Sequence, residues 1–254
     1  MIARHFLWEQ RFLALGYFLL LLVNMMASVL YWPELRDSIP EMIKLIPFKP
    51  LQDFARAFDE QGFWAYYGAQ HFWKGAGMFG IAAAGLMGSG VVARDVDQRT
   101  AELLLSRPVS RARILCERWC TGALLILLPF TMVAFIGGWM APSVDEMLDR
   151  SAVLMGVAHS STFLLAVFTL TCWLSALFTH QLKAGILVLG FMLLNLAIYL
   201  VKDLWDWSLY NLIDLDVTLP MEAGVYPWRE TFWLGGATLV FYVGALVSFQ
   251  RRDF

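Results

Sequence analysis

The chain has 254 residues, 59% hydrophobic and 16% charged, with a formal net charge of −2 and a mean hydropathy of +0.60. A soluble domain carries about a quarter charged residues and a little under half apolar ones, so this composition is that of an integral membrane protein. The near-neutral charge excludes a nucleic-acid binder driven by bulk positive charge. Cys116, Cys120 and Cys172 form no C-x-x-C pair and have no further ligand types nearby, so they read as small helix residues rather than a metal site.

The first twelve residues, M-I-A-R-H-F-L-W-E-Q-R-F, alternate apolar Ile2 and Phe6 with charged Arg4, Glu9 and Arg11. That pattern predicts an interfacial helix. Glu9, Arg11 and the lack of a small-x-small exit argue against a cleavable signal. A bilayer core takes about 20 apolar residues per helix. Six stretches qualify: 12–32, 75–93, 119–141, 151–178, 184–202 and 231–249. The expected fold is an all-α integral membrane protein of six transmembrane helices in one domain spanning 1–254, with a leading interfacial helix.

Between the first two stretches, Pro33, Pro40, Pro47 and Pro50 punctuate the chain. Leu51, Phe54, Ala55 and Phe58 then recur at helical spacing, which predicts an amphipathic helix lying at an interface. The second stretch opens on G-A-G-M-F-G (75–80), a literal G-x-G-x-x-G without the strand that dinucleotide binding needs. Gly77 and Gly85, and Gly80, Ala84 and Gly88, instead recur at helical spacing. Such small residues predict close helix packing within the bundle or at a dimer seam.

The fourth stretch carries the densest polar cluster, His159, Ser160, Ser161 and Thr162. Polar residues within spans mark interhelical contacts or a substrate path, and His159, Ser160, Thr162 and Asn24 are the candidates for a path. A serine hydrolase would need His159 within reach of Ser89, since His159 and its neighbour Ser160 point about 100° apart on a helix. Asp and Glu are absent from mid-span positions, which weakens proton- or sodium-coupled transport, and no G-x-x-x-x-G-K-[ST] is present for ATP hydrolysis. Residues 203–230 set Trp205, Trp207, Tyr210, Tyr226 and Trp228 among Asp203, Asp206, Asp214 and Asp216, as a headgroup belt would.

Six spans put both termini, the 94–118 loop and the 179–183 loop on one side. That side holds 11 of the 19 Lys and Arg residues, crowded into short segments, and is therefore expected to be cytoplasmic.

The 94–118 segment reads R-D-V-D-Q-R-T-A-E-L-L-L-S-R-P-V-S-R-A-R-I-L-C-E-R. Asp95 with Gln98 suggests a capping box and a helix over 96–106 with Val96, Thr100, Leu103 and Leu104 on one face. Pro108 ends it and Ser110 caps the next helix, which continues into the third span. The alternative is a positive-inside loop with incidental helicity.

These residues resemble the cytoplasmic signature of ABC-2 type ABC-transporter permeases: an acidic start, Gly-Thr-Leu-Glu-Leu-Leu-Leu, a Pro-Val-Ser-Arg turn and a lysine at the third span. Asp95 and Asp97 stand at the acidic sites, and Thr100, Glu102, Leu103 and Leu104 at the core. Pro108, Val109, Ser110 and Arg111 form the turn, and Arg118 takes the lysine position. Arg99 replaces the glycine and Glu117 a small residue.

The resemblance implies a permease of a bacterial-type inner membrane. It would pair with a second copy or a homologous permease and bind two P-loop ATPase subunits through 94–118. ATP and Mg would reside in those partners; this chain itself would hold no cofactor, metal or catalytic residue. Export of an amphipathic or hydrophobic substrate is the implied direction, with membrane lipids and an outer-face partner as further contacts and no nucleic acid. A non-transporting scaffold that anchors an ATPase or an outer partner is the alternative, and the serine hydrolase a remote one.

Overall fold

The protein, seen in a computed structural model, is described over residues 2–47, 49–100, 109–201 and 204–252. Among these residues every regular element is helical. α1 spans Ile2–Leu45, α2 Lys49–Gly68, a π-helix Ala69–Gly80, α3 Ile81–Ser89 and α4 Ala93–Asp97. α5 spans Arg111–Met140, α6 Arg150–Leu177, α7 Gln181–Leu200, α8 Leu215–Thr218 and α9 Trp228–Arg251. Among the described residues five helices are long and apolar enough to cross a membrane: α1, α5 with its 3₁₀ extension to Val144, α6, α7 and α9.

α1 corrects two expectations. No separate interfacial helix precedes the first span, and neither Pro33 nor Pro40 ends it; one helix of 44 residues runs through both. An interior proline costs about 3 kcal/mol of helix stability, so packing must outweigh it. The buried stripe Leu21, Met25, Val29, Trp32, Leu35 and Ile39 continues past Pro33 and reaches Pro40. Trp32 also donates its indole N–H to Glu146 at 2.8 Å and stacks on Tyr66.

The amphipathic helix expected from residue 51 is α2, with Ala55 buried and Phe54 and Phe58 packed on the core. At Gly62 the backbone breaks out of the helix with φ +61°, a left-handed conformation that favours glycine. From Phe63 the chain is helical again to Ser89, but as α-helix, π-helix and α-helix in turn. The expected single span over 75–93 thus falls on the π-helix and α3, begins inside the former and stops at Ser89, four residues early. A π-helix is usually a single-turn bulge; here Gly77 and Gly80 let Tyr210 and Leu164 approach its backbone, at 3.0 and 2.4 Å from where a Cβ would lie. The stop at Ser89 is secured from α6. Ser175 Oγ accepts from the Val92 and Ala93 amides at 3.0 and 2.8 Å and donates to the Ser89 carbonyl at 2.7 Å.

α6 forms the axis of the bundle: 61% of its apolar window is buried, against 17% for α9 at the periphery. The small residues of the second stretch face other elements of this chain. A Cβ on Gly80 would lie 2.4 Å from Leu164, and one on Gly88 2.7 Å from Thr171 and 3.1 Å from the Phe168 carbonyl, all on α6. Gly77 faces Tyr210 and Ile213, Gly85 faces Leu189 on α7, and Ala84 is fully buried.

Residues Ala3, Glu117, Arg111 and Phe249 come together at the end of the bundle that holds both termini. At the far end, between α7 and α9, the chain forms 3₁₀ turns at Trp205–Trp207, Leu209–Ile213 and Leu219–Ala223 around α8. Not all of its aromatics serve as a headgroup belt. Trp207 and Trp228 are exposed, but Tyr210 is buried and donates to the Gly77 carbonyl at 2.7 Å. A tyrosine hydroxyl in the core usually finds such a partner.

Asp214 is buried too, caps α8 through the Leu215 amide at 2.7 Å and accepts from Tyr199 at 2.8 Å. Burial pushes its carboxyl up to about 6, against the opposing pull of the Tyr199 and Leu215 hydrogen bonds. Between the ordinary 3.8 and about 6 the folded protein keeps a proton that the unfolded chain has released. Stability from this group therefore falls as pH rises through that window and is level above it.

Two outcomes follow from this architecture. Gly88→Val should destabilise the bundle by about 1–3 kcal/mol, because the Phe168 backbone cannot yield; thermal unfolding in detergent reads this, and an unchanged midpoint would show that the α3–α6 contact is loose. Asp214→Asn keeps the acceptor for Tyr199 and should stabilise the protein at pH 7 by up to about 3 kcal/mol. It should also flatten the stability change between pH 4 and 6, measured by tryptophan fluorescence during unfolding.

Candidate functional site

The charged segment after α3 is tied to five helices. Arg118, on the first turns of α5, is 3% exposed. It forms an ion pair with Asp95 of α4 and donates to the Val91 carbonyl at 2.7 Å. Its guanidinium also sits 5.9 Å from the Phe6 ring of α1. Taking a charge out of water costs several kcal/mol unless it is paired and hydrogen-bonded, so Asp95 and Val91 together allow the arginine to be there.

Asp97 reaches the start of α7. Its carboxylate is 2.9 Å from His180 Nδ1 and accepts from the Gln181 amide at 3.4 Å. The His180 hydrogen bond holds the Asp97 carboxyl below its usual range. Arg94 pairs with Glu9 of α1 at 3.8 Å.

Glu117 accepts from Arg113 at 2.8 Å and from the Ala3 amide at 3.3 Å. These contacts lower its carboxyl, Arg113 most of all. Arg111 Nη1 lies within 3.0 Å of the Phe249 and Gln250 carbonyls and 2.6 Å from that of Arg252. A cation there complements the C-terminal end of the α9 dipole. Arg252 in turn caps α6 through the Ala176 and Phe178 carbonyls at 2.8 and 2.9 Å.

The helix expected over 96–106 does not start at Val96. α4 ends at Asp97, and Gln98, Arg99 and Thr100 close it with the bonds of a Schellman motif: Thr100 N to Asp95 O at 2.8 Å and Arg99 N to Val96 O at 3.1 Å. Arg99 takes the left-handed position at φ +56°, which costs a non-glycine residue about 1–2 kcal/mol. The capping-box reading failed because Asp95 is bonded to Arg118 and Thr100 instead. Glu102, Leu103, Leu104 and Pro108 lie outside the described residues. Ser110 caps α5 as expected, accepting from the Arg113 amide at 3.3 Å.

The four residues assigned to a substrate path do not converge. His159 is fully buried near the far end, its Nε2 2.6 Å from the Leu212 carbonyl and its Nδ1 2.8 Å from Thr231 Oγ1. The carbonyl can only accept, so Nε2 carries the proton and Nδ1 accepts from Thr231. The ring thereby clamps α6 to the 209–213 turn and to α9. Thr162 bonds the Ala158 carbonyl of its own helix. Ser160 Oγ is buried without a hydrogen-bond partner among the described residues. Asn24 lies apart, beside a cleft bordered by α1 and the π-helix.

Ser89 donates to Leu86 and accepts from Ser175. Ser175 is sixteen residues along α6 from His159, about 24 Å at 1.5 Å per residue. The geometry therefore removes the hydrolase reading. Among the described residues, no group of three or more His, Cys, Asp or Glu could hold a metal ion.

Ser175, His180 and Glu9 were not picked out from the sequence as site residues. A serine inside an apolar span is a signal that some backbone group needs a partner, but the sequence does not say which.

Five helices long and apolar enough to cross a membrane, among the described residues, and a charged segment anchored to their ends define a multi-pass membrane protein. The family model described as "ABC-2 family transporter protein" matches residues 3–254, and the chain belongs to that family. It is also similar to the uncharacterized protein YhcI of Bacillus subtilis (strain 168), at 26% identity over 251 aligned positions covering 87% of this chain and 78% of that protein.

The buried ion pair generates a prediction. Asp95→Ala strands the Arg118 charge and should cost about 3–5 kcal/mol, while Asp95→Ala with Arg118→Met should recover part of it. Comparison of unfolding midpoints checks this; equal loss in both would show that Asp95 acts through Thr100 rather than through Arg118.

Proposed function

We propose that the chain is the permease subunit of an ATP-driven exporter for an amphipathic or hydrophobic substrate, coupled through 94–118 to two separate P-loop ATPase subunits. The observation that carries the reading is the anchoring of this segment, together with Val92 and Ala93 that lead into it, to α1, α5, α6, α7 and α9 through Glu9, Arg118, Ser175, Asp97 and Arg111. A force applied there reaches every helix long enough to cross a membrane.

The arrangement goes with six crossings, the second made of the helical run from Phe63 to Ser89, and with both termini, 94–118 and 179–183 in the cytoplasm of a bacterial-type inner membrane. A second copy or a homologous permease completes the transporter. ATP and Mg are bound by the partner ATPases, and this chain contributes docking contacts rather than catalysis. The apolar Leu103 and Leu104 enter a groove on the ATPase while the flanking charges set register.

Leu103→Asp with Leu104→Asp is expected to abolish substrate-dependent ATPase stimulation in the reconstituted complex and to leave membrane insertion intact. Normal stimulation by the double variant would overturn the docking assignment. Failure of any P-loop ATPase to co-purify in mild detergent would point to a scaffold.

A further inference from the structure

The far end holds a two-part cleft that the transport reading leaves unassigned. One part is an apolar chamber of about 360 Å³ bordered by Leu35, Ile39, Met42, Leu51, Phe54 and Trp73. The other, about 440 Å³, is lined by Asn24, Ser28, Tyr31, Tyr66, Gln70 and Lys74. Gln70 and Lys74 of the π-helix border both parts. Ligand cavities typically measure about 300–1,000 Å³, mostly apolar with a few fixed polar groups.

Lys74 is only partly exposed, and its Nζ donates to Gln70 Oε1 at 2.9 Å. Ser28 lies 3.3 Å from the same oxygen. Among the described residues no carboxylate lies within ion-pair distance of Lys74. Two acids of neighbouring elements have partners of their own: Asp53 pairs with Arg56 at 3.6 Å, and Asp214 accepts from Tyr199. Trp73, on the chamber wall, has a buried indole N–H without an acceptor among the described residues.

A cation without a counter-ion at the junction of a polar and an apolar compartment fits one ligand chemistry. We propose that this cleft binds a single-chain anionic amphipath, its carboxylate or phosphate against Lys74 and its alkyl chain in the apolar chamber. The π-helix presents Gln70 and Lys74 side by side at the junction, and the chamber's size selects one chain over two. The proposal deepens the export reading by naming a ligand class and rests on it for the step of transport. Binding itself needs no ATPase.

The test uses the purified full chain in nanodiscs of zwitterionic lipid, titrated with dodecyl phosphate, laurate and dodecyltrimethylammonium. Both anions should bind and the cation should not. Lys74→Met should weaken the anions by about tenfold, the worth of a charge-assisted contact, while Lys74→Arg retains them. Ala55→Phe, which narrows the chamber, should weaken both anions while leaving the protein monodisperse. Phosphatidylglycerol added to the nanodisc should leave dodecyl phosphate binding unchanged. Equal binding of the cation, an unaltered affinity in a folded Lys74→Met, or full displacement by the diacyl lipid would each overturn the proposal. Failure of the bound anions to stimulate the ATPase of the reconstituted wild-type complex would count against the transport reading and leave these binding results standing.

Discussion

The structure depends on a buried guanidinium. Arg118 sits where α5 begins, at 3% exposure, and can remain there only because Asp95 and the Val91 carbonyl reach it. That requirement dictates what precedes it in the chain. α3 has to end early enough to free Val91, the turn has to be closed by a donor and acceptor from elsewhere, and α4 has to be short. Ser175 meets the second condition from α6, and the Schellman closure at Arg99 meets the third. A charged residue costly to bury thus organises four helices around itself, in keeping with the rule that such groups are tolerated only where paired and hydrogen-bonded.

Around this centre the remaining charges of the segment behave as ties rather than as a diffuse basic surface. Asp97 holds the start of α7, Arg94 and Glu117 hold α1, and Arg111 holds the end of α9. Exposed ion pairs of this kind are individually worth about 0–1 kcal/mol, so their role is to fix geometry. The Glu117 departure from the family pattern has a direct account: it accepts from the Ala3 amide and joins α1 to α5.

What the sequence made legible was what the bilayer demands. Apolar length is a requirement of the solvent, so the stretches at 12–32, 119–141 and 231–249 fall within span-length helices, and α6 and α7 take up 151–177 and 184–200 of the other two. Ser110 was legible because capping is local. The fate of Pro33 and Pro40 was not, since it is decided by a buried stripe packing on a later segment. Nor was the break at Arg99, where an arginine occupies a backbone conformation that only a glycine would have advertised. His159 looked like a polar residue in search of chemistry, but its partners, Leu212 and Thr231, are over fifty residues distant and serve to clamp. Leu103 and Leu104, on which the docking reading turns, lie outside the described residues, so for them the sequence alone speaks.

α1 is fastened twice to α5 and the turn that follows it: Ala3 meets Glu117, and twenty-nine residues later Trp32 meets Glu146, two residues past the 3₁₀ extension of α5. At 1.5 Å per residue these fastenings are about 44 Å apart. Two helices pinned twice at that separation form a strut that resists shear, so they rotate as one body. A tilt of about 5° imposed at the Ala3 end moves the Trp32 end by about 4 Å, with no helix bent and no hydrogen bond broken along the way. Trp32 stacks on Tyr66, a wall residue of the far-end cleft, so the width of that cleft is set by the angle of this strut.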